Sequence, residues 1–426
     1  MKIETLHSHF LKSSGICTDT RKIKKNCLFF ALKGENFNGN EFAQEALDKG
    51  AYKAVIDDIS AHKNTGETIL HGNALSLLQK LATFHRNYIK VPIIALTGSN
   101  GKTTTKELIN AVLSQKYRTS ATQGNLNNHI GVPLTLLSMD QETEMGIVEM
   151  GANHLKEIAL LSSITEPDFG LITNFGKAHL EGFGGVEGVI RGKSELYTHI
   201  RDHDKMVFVN GNDSKQMELT GDMKRITFGS GDFDYNVVLK NASGELLLQY
   251  EGIDIQSNLI GIYNFHNIAA AIAIGSYFQI DNEQIKTAIE GYVPLNNRSQ
   301  LIQRDGFNII MDAYNANPTS MMAAIENFQQ AAGDQKIMIL GDMFELGKSA
   351  AEEHQHIVNY LEAHPFGQAF LLGSNFNRTT STKDHIRTFN SFEDFKKEWV
   401  NLDLTGTNLL VKGSRGMALE RVLELI

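Results

Sequence analysis

The stretch Ile93-Ile94-Ala95-Leu96-Thr97-Gly98-Ser99-Asn100-Gly101-Lys102-Thr103-Thr104-Thr105-Lys106-Glu107-Leu108 decides the fold. A short apolar run leads into a glycine-bearing turn, and a helical pattern follows from Thr103 to Leu113, which predicts strand, loop and helix. Such a junction collects unpaired backbone N–H groups and the positive end of a helix dipole at one point. Lys102 adds a cation, and Thr103 a hydroxyl suited to a magnesium ion. Gly98, Ser99, Asn100, Gly101, Lys102, Thr103 and Thr104 are therefore candidate ligands of a nucleoside triphosphate. Leu96 stands where G-x-x-x-x-G-K-S/T has its first glycine, so the loop is a shorter variant of that pattern. A chance glycine turn is the plain alternative; the strand directly before and the helix directly after argue against it.

Outward from this loop, composition sets bounds. A chain of 426 residues has room for roughly two to four domains with real cores. With 40 basic and 49 acidic residues the net charge is −9, so no general attraction to nucleic acid or to an anionic membrane is expected. Cys17 and Cys27 are too few for a disulfide framework and fit a reducing compartment. The opening Met1-Lys2-Ile3-Glu4-Thr5-Leu6 lacks the apolar core of a signal peptide, and no apolar run reaches spanning length. A soluble, cytoplasmic protein is expected.

Before the loop, Cys27 to Leu32 and Tyr52 to Ile56 read as strands flanking a helical segment, Glu41 to Lys49. After it comes the amide-rich Gly124-Asn125-Leu126-Asn127-Asn128. Two further apolar runs end at Glu149 and Asn174, and His179 lies just beyond the second. Ligands of open α/β sheets sit outside the carboxyl ends of the strands, which points Glu149 and His179 towards the phosphate loop. Glu149 is a candidate metal ligand on that ground, whereas a lone histidine is often only a hydrogen-bonded filler. Short alternating runs from about Ile226 to Ile260 predict added strands, and Ile268 to Ile274 a buried small-residue helix. Beyond Pro294, strands ending at Asp312, Gly341 and Lys412 alternate with helices, the pattern of a mostly parallel, doubly wound sheet.

The phosphate loop, Glu149, His179 and Lys193 together resemble the Mur ligase family, the ATP-dependent amide-forming enzymes of peptidoglycan precursor synthesis, over essentially the whole chain. The resemblance implies an α/β protein of three domains. These are a small α/β N-terminal domain that binds the UDP end of the substrate (1–87), a central P-loop-type mononucleotide-binding α/β domain (88–295) and a C-terminal Rossmann-like α/β domain (296–426). Four stretches are similar to the branch of the family that joins D-alanyl-D-alanine to UDP-N-acetylmuramoyl-tripeptide: Gly124 to Asn128, Asp312-Ala313-Tyr314-Asn315-Ala316-Asn317-Pro318, Gly341-Asp342-Met343-Phe344-Glu345-Leu346-Gly347, and Lys412-Gly413-Ser414-Arg415. The Asp-Tyr-Ala-His-x-Pro and Asp-Asn-Pro-Arg motifs of the third-residue-adding branch do not occur.

The resemblance also distributes roles. Lys102, Glu149, His179 and Lys193 are implied as catalytic, with ATP and two magnesium ions as cofactors. One ion is implied at Thr103 and Glu149, and a second at His179 with Lys193, the lysine being carbamylated in the family. Asn267 matches a residue that bonds adenine, Asp312 one near the ribose, and Arg298 one that reaches the phosphates from the third domain. Thr20, Arg21, Lys33 and Asn38 are implied for the UDP end, with Phe37 or Phe42 packing a base or sugar. Asn125 and Asn128 are implied as substrate contacts, and Tyr314, Asn315 and Asn317 for the incoming dipeptide. Two departures stand out: Tyr263 occupies a usual histidine position, and Asn297 a usual glycine position. A monomer is expected, with domain closure hinged at 293–297. The competing readings are another Mur or folylpolyglutamate-type amide ligase, and a non-catalytic nucleotide-binding module that would not need Glu149, His179 and Lys193 together.

Overall fold

The computed structural model describes residues 1–63, 65–295, 297–331, 333, 335–399 and 407–426. Three main sheets follow one another along the chain. The first has four parallel strands in the order Ile16–Cys17, Leu28–Phe30, Lys53–Ile56 and Thr68–Leu70. Beside it, Lys33–Gly34 and Phe37–Asn38 form a small hairpin.

The second sheet carries the phosphate loop. Its strand Ile93–Thr97 is buried at every residue and lies between Met145–Glu149 and Phe169–Ile172, parallel to both. Ile93 and Ala95 face one core while Ile94 and Leu96 face another, so the unbroken apolar run is that of a strand covered on both sides. From Ile93–Thr97 the chain passes through helix Lys102–Leu113 to the edge strand Thr119–Ala121. From Met145–Glu149 it passes through helix Glu157–Thr165 to Phe169–Ile172, on the other side of the phosphate-loop strand. The two connections leave in opposite directions, which opens a crevice outside the carboxyl ends of these neighbouring strands. The sheet continues through Met206–Asn210 and Lys224–Gly229 into Tyr235–Asn241, Glu245–Tyr250 and Ile253–Ile260, the added strands expected from alternation.

The third sheet has the order Gln300–Arg304, Phe307–Asp312, Asn408–Lys412, Lys336–Gly341, Gln368–Leu372 and Ile386–Phe389. Its first pair is antiparallel and the rest are parallel.

Two expectations about boundaries change. Helix Ala74–Ile89 runs straight through the expected division at 87/88, so Tyr88 ends a helix and does not open the central unit. Its buried face, Leu77, Leu78, Leu81 and Ala82, shares one core with Val132, Leu136 and Leu161 of the central unit. The helix expected at Ile268 begins at Tyr263. The polar Asn264 and Asn267 sit inside its first turns because the fold supplies partners: Asn264 Nδ2 donates to Ile260 O at 2.8 Å, and Asn267 accepts from Thr105 at 3.0 Å. Of the expected hinge at 293–297, Asn296 lies outside the described residues.

Candidate active site

The glycines of the phosphate loop are fixed by what surrounds them. Gly98 has φ +147°, and a Cβ there would lie 1.9 Å from Thr173 Oγ1. Gly101 has φ +80°, and a Cβ would lie 2.5 Å from Asn267 Oδ1. The loop is held from the neighbouring strand end: Ser99 N donates to Asn174 O at 3.1 Å, Asn100 N to Asn174 Oδ1 at 3.1 Å, and Thr173 Oγ1 to Asn100 O at 2.6 Å. With these bonds made, the loop amides keep their curvature without a ligand, the preorganised form of an anion cradle. The Lys102 amine folds back onto Gly98 O at 2.7 Å. Burial holds its pKa below the ordinary lysine value, Glu149 opposes that shift and Arg298 adds to it.

Glu149 is buried at the end of its strand. One carboxylate oxygen accepts from Thr103 Oγ1 at 3.0 Å and the other from Asn127 Nδ2 at 2.7 Å. A buried carboxylate hydrogen-bonded only to neutral donors, beside a threonine hydroxyl, is a hard-oxygen pair that fits a magnesium ion sharing a phosphate. Asn127 was not singled out in the sequence; only its neighbours Asn125 and Asn128 were, because the strand pairing that brings Glu149 opposite the asparagine loop is not local.

These residues open onto a cavity of about 1010 Å³. Its walls include Ser99, Asn100, Gly101, Lys102, Thr103, Thr104, Asn125, Asn128, Glu149, His179 and Asn267 from the central unit. Arg298, Asp312, Tyr314, Asn315 and Asn317 face them from the third unit. Asn317 caps helix Pro318–Gln330 and also donates to Asn100 Oδ1 at 2.7 Å, so the phosphate loop and the turn before that helix touch directly. Asp312 is ion-paired with Lys412 and accepts from Ser299 N at 3.1 Å. Lys412 lines the same wall and was missed as a site residue, its motif having been read only as a resemblance. Arg298 lies over the Tyr314 ring at 3.6 Å. Asn297 has φ +58°, a left-handed conformation that asparagine tolerates, which explains how it stands in a glycine position. Tyr263 donates to or accepts from Ser299 Oγ at 2.9 Å, so it bridges to the third unit in place of a histidine.

Other expected site residues are placed elsewhere. Gly98 shapes the loop from behind and does not line the cavity. Lys193 is fully buried behind the wall residue Ala152, bonding its carbonyl at 3.1 Å, with its amine 5.1 Å from the centre of the Phe183 ring. Burial first, then Lys102, pushes the Lys193 pKa far below the ordinary value. Among the described residues, no group of three or more His, Cys, Asp or Glu side chains is placed to hold a metal. Thr20, Arg21, Lys33 and Asn38 lie away from the large cavity. Arg21 is exposed and paired with Asp19, whose carboxyl it holds down to about 2. Lys33 is paired with Asp57 at 3.1 Å, and Asn38 lines a separate cavity of about 320 Å³.

A strand–glycine loop–helix cradle, with the half-buried Thr103 bonded to the buried Glu149 and a second α/β unit facing them, is the architecture of a nucleotide-binding enzyme, and the chain belongs to the Mur ligase family. The Mur ligase family catalytic domain matches residues 12–92, the Mur ligase middle domain 96–275, and the Mur ligase glutamate ligase domain 297–415. The chain is similar to the UDP-N-acetylmuramoyl-tripeptide–D-alanyl-D-alanine ligase of Bacillus subtilis, at 34% identity over 96% of this chain and 92% of that protein. Among solved structures it is similar to MurF from Acinetobacter baumannii, with a TM-score of 0.89 and 28% identity over 99% of this chain and 98% of that one. It is also similar to the MurF ligase of Thermotoga maritima in complex with ADP, with a TM-score of 0.86 and 26% identity over 98% and 97%.

Proposed function

We propose that this Mur ligase joins D-alanyl-D-alanine to UDP-N-acetylmuramoyl-tripeptide at the expense of ATP, giving the pentapeptide precursor of peptidoglycan. The observation that carries the reading is the single cavity in which the phosphate loop and Glu149 face Tyr314, Asn315 and Asn317. The free carboxylate of the tripeptide is a poor acyl donor, since its leaving group would be oxide. It attacks the γ-phosphorus of ATP, the bond to the β-phosphate oxygen breaks, and ADP leaves an acyl phosphate. The amine of the dipeptide then attacks the acyl carbon, and the tetrahedral adduct expels inorganic phosphate and loses a proton as the amide forms.

Every early participant is an anion, so the work of the protein is positioning and charge neutralisation. The loop amides and Lys102 hold the phosphates, Arg298 approaches them from the third unit, and Asn267 and Asp312 orient adenine and ribose. Asn315 and Asn317 line the wall from which the dipeptide amine would reach the acyl carbon. Magnesium bound between Thr103 and Glu149, and a second ion at His179, would offset phosphate charge and polarise the γ-phosphoryl group. Burial, which lowers the Lys193 pKa, favours the neutral amine that adds carbon dioxide; nitrogen bonds the carbon, a proton leaves, and a carbamate anion forms. A carbamate signal in ¹³C spectra of protein in labelled bicarbonate, absent from Lys193→Ala, checks this.

The UDP end is assigned to the first unit, where Thr20, Arg21, Lys33 and the cavity beside Asn38 offer cations and amides, and the exposed ring of Phe37 a packing surface. The first unit is taken to the end of helix Ala74–Ile89, followed by the central unit to 295 and the third unit from 296, with a monomer and a cytoplasmic location; among the described residues no helix is long and apolar enough to cross a membrane. Phosphate release from ATP with the UDP-muramoyl tripeptide, measured with and without D-alanyl-D-alanine, tests the whole reading. Dipeptide-dependent release with a pentapeptide product by mass supports it. Release with free diaminopimelate or lysine and a UDP-muramoyl dipeptide would move the chain to the third-residue-adding branch.

A further inference from the structure

His179 lies in the loop after strand Phe169–Ile172 of the central unit, as the residue before the short helix Leu180–Phe183, with φ +53°, a left-handed conformation that is uncommon outside glycine and more frequent for histidine than for most residues. Its Nδ1 is buried without a well-aligned hydrogen bond, and among the described residues the carboxylate set in contact with it is that of Glu345, which belongs to the third unit. Glu345 is itself left-handed, at φ +61°. The loop that bears it is pinned to the core of its own unit. Met343 N donates to the buried His354 Nε2 at 3.0 Å, Phe344 N to Ser414 Oγ at 2.9 Å, and the side chains of Met343 and Leu346 are buried. Glu345 therefore moves with the third unit, whereas His179 moves with the second.

Around that contact the two units are fitted closely. Glu181 N donates to Glu345 O at 3.2 Å, and a Cβ on Gly347 would come within 3.1 Å of Glu181 Cβ. A second cross-unit ion pair, Lys177–Glu353 at 2.6 Å, lies nearby; neither side chain lines the cavity, and Lys177 meets the wall only through its backbone N, which donates to Thr319 Oγ1 at 2.9 Å. A histidine that binds a metal through one ring nitrogen is held in tautomer and orientation by a carboxylate on the other. Here that carboxylate arrives from a different unit.

We propose that Glu345 is a positioning residue that fixes the His179 ring only when the third unit has closed, so that the metal position served by His179 forms on closure. The inference rests on the reading of His179 as a metal ligand. It gives closure a chemical consequence beyond bringing substrates together: in the open molecule His179 is unoriented, the second metal position is weak, and ATP bound alone is not committed to phosphoryl transfer.

The test is Mn²⁺ binding to the full chain with UDP-muramoyl tripeptide and an unhydrolysable ATP analogue, counting free Mn²⁺ by electron paramagnetic resonance. Wild type, His179→Ala, Glu345→Ala, Glu345→Gln and Lys177→Ala are compared. His179→Ala should weaken one of the bound ions, and Glu345→Ala should weaken that same ion by about 10- to 100-fold, the range for loss of a carboxylate behind a metal-binding histidine. Glu345→Gln, which keeps an acceptor for Nδ1–H, should lose less, and Lys177→Ala should stay within about twofold of wild type. Glu345→Ala binding as wild type while His179→Ala is weakened overturns the proposal and leaves the metal reading standing. Equal weakening by Lys177→Ala also overturns it, because Glu345 would then be one latch among others. If His179→Ala keeps both ions, the metal reading itself falls and the inference with it.

Discussion

At Gly98 a methyl group has nowhere to go: its backbone is left-handed and Thr173 Oγ1 occupies the space. Gly98→Ala should cost about 1–3 kcal/mol of strain, read as a lower melting temperature together with weaker nucleotide binding, since relief requires the loop to move off Thr173. Lys102→Ala should behave differently. The amine packs only on loop carbonyls, so far-UV circular dichroism and melting should change little, while kcat falls roughly 10²- to 10³-fold through loss of charge at the transferred phosphoryl group. These residues were legible because a strand, a glycine turn and a helix are contiguous in sequence, and their geometry follows from local backbone rules. Asn127 and Lys412 were not. Each becomes a site residue through a partner far along the chain, Glu149 for one and Asp312 for the other.

Among elements, helix Ile3–Lys12 and helix Ala74–Ile89 are joined by a buried histidine pair. His85 Nε2 bonds Met139 O at 2.8 Å and so carries the hydrogen, which leaves His85 Nδ1 to accept from His7 Nε2 at 3.0 Å. Burial lowers both pKa values from 6.5; His7 is lowered further by His85, while Met139 O and Asp140 partly oppose the shift of His85. Phe10, Phe84 and Tyr88 enclose the His7 ring. A histidine with a lowered folded pKa contributes stability that is present above 6.5 and is lost as pH falls through the folded value, because the unfolded chain takes up the proton first. The urea midpoint should therefore drop between pH 7 and pH 5, and less steeply in His7→Gln; an equal slope in that variant would remove the pair as the cause. Neither helix was read from the sequence, and the boundary at 87/88 cuts the second one; an apolar stripe serves against any partner, so the pattern alone does not say that this helix packs beneath the central unit.

For the molecule as a whole, the site exists only where two α/β units meet, with Asn100–Asn317 and Lys177–Glu353 spanning the junction. Nucleotide and magnesium held from both sides should stabilise that junction. At a concentration about a hundred times Kd, an ATP analogue should add about 2.7 kcal/mol to the unfolding free energy of the units that bind it, and calorimetry should show the gain reduced in Lys102→Ala. Should the first unit gain as much as the other two, binding would not be confined to the junction. What the sequence determined alone was the phosphate loop and the alternation of strands and helices around it, since these depend on residues adjacent along the chain and on period-2 and period-3.6 patterns. The ligase chemistry entered through the resemblance of the loop, Glu149, His179 and Lys193 to the Mur ligase family. What the tertiary structure decided was which residues share a wall. It moved Lys193 behind Ala152, took Thr20, Arg21, Lys33 and Asn38 away from the large cavity, and set Glu345 against His179. Those juxtapositions come from strand order and from the docking of one sheet's loops on another's, which no local spacing encodes.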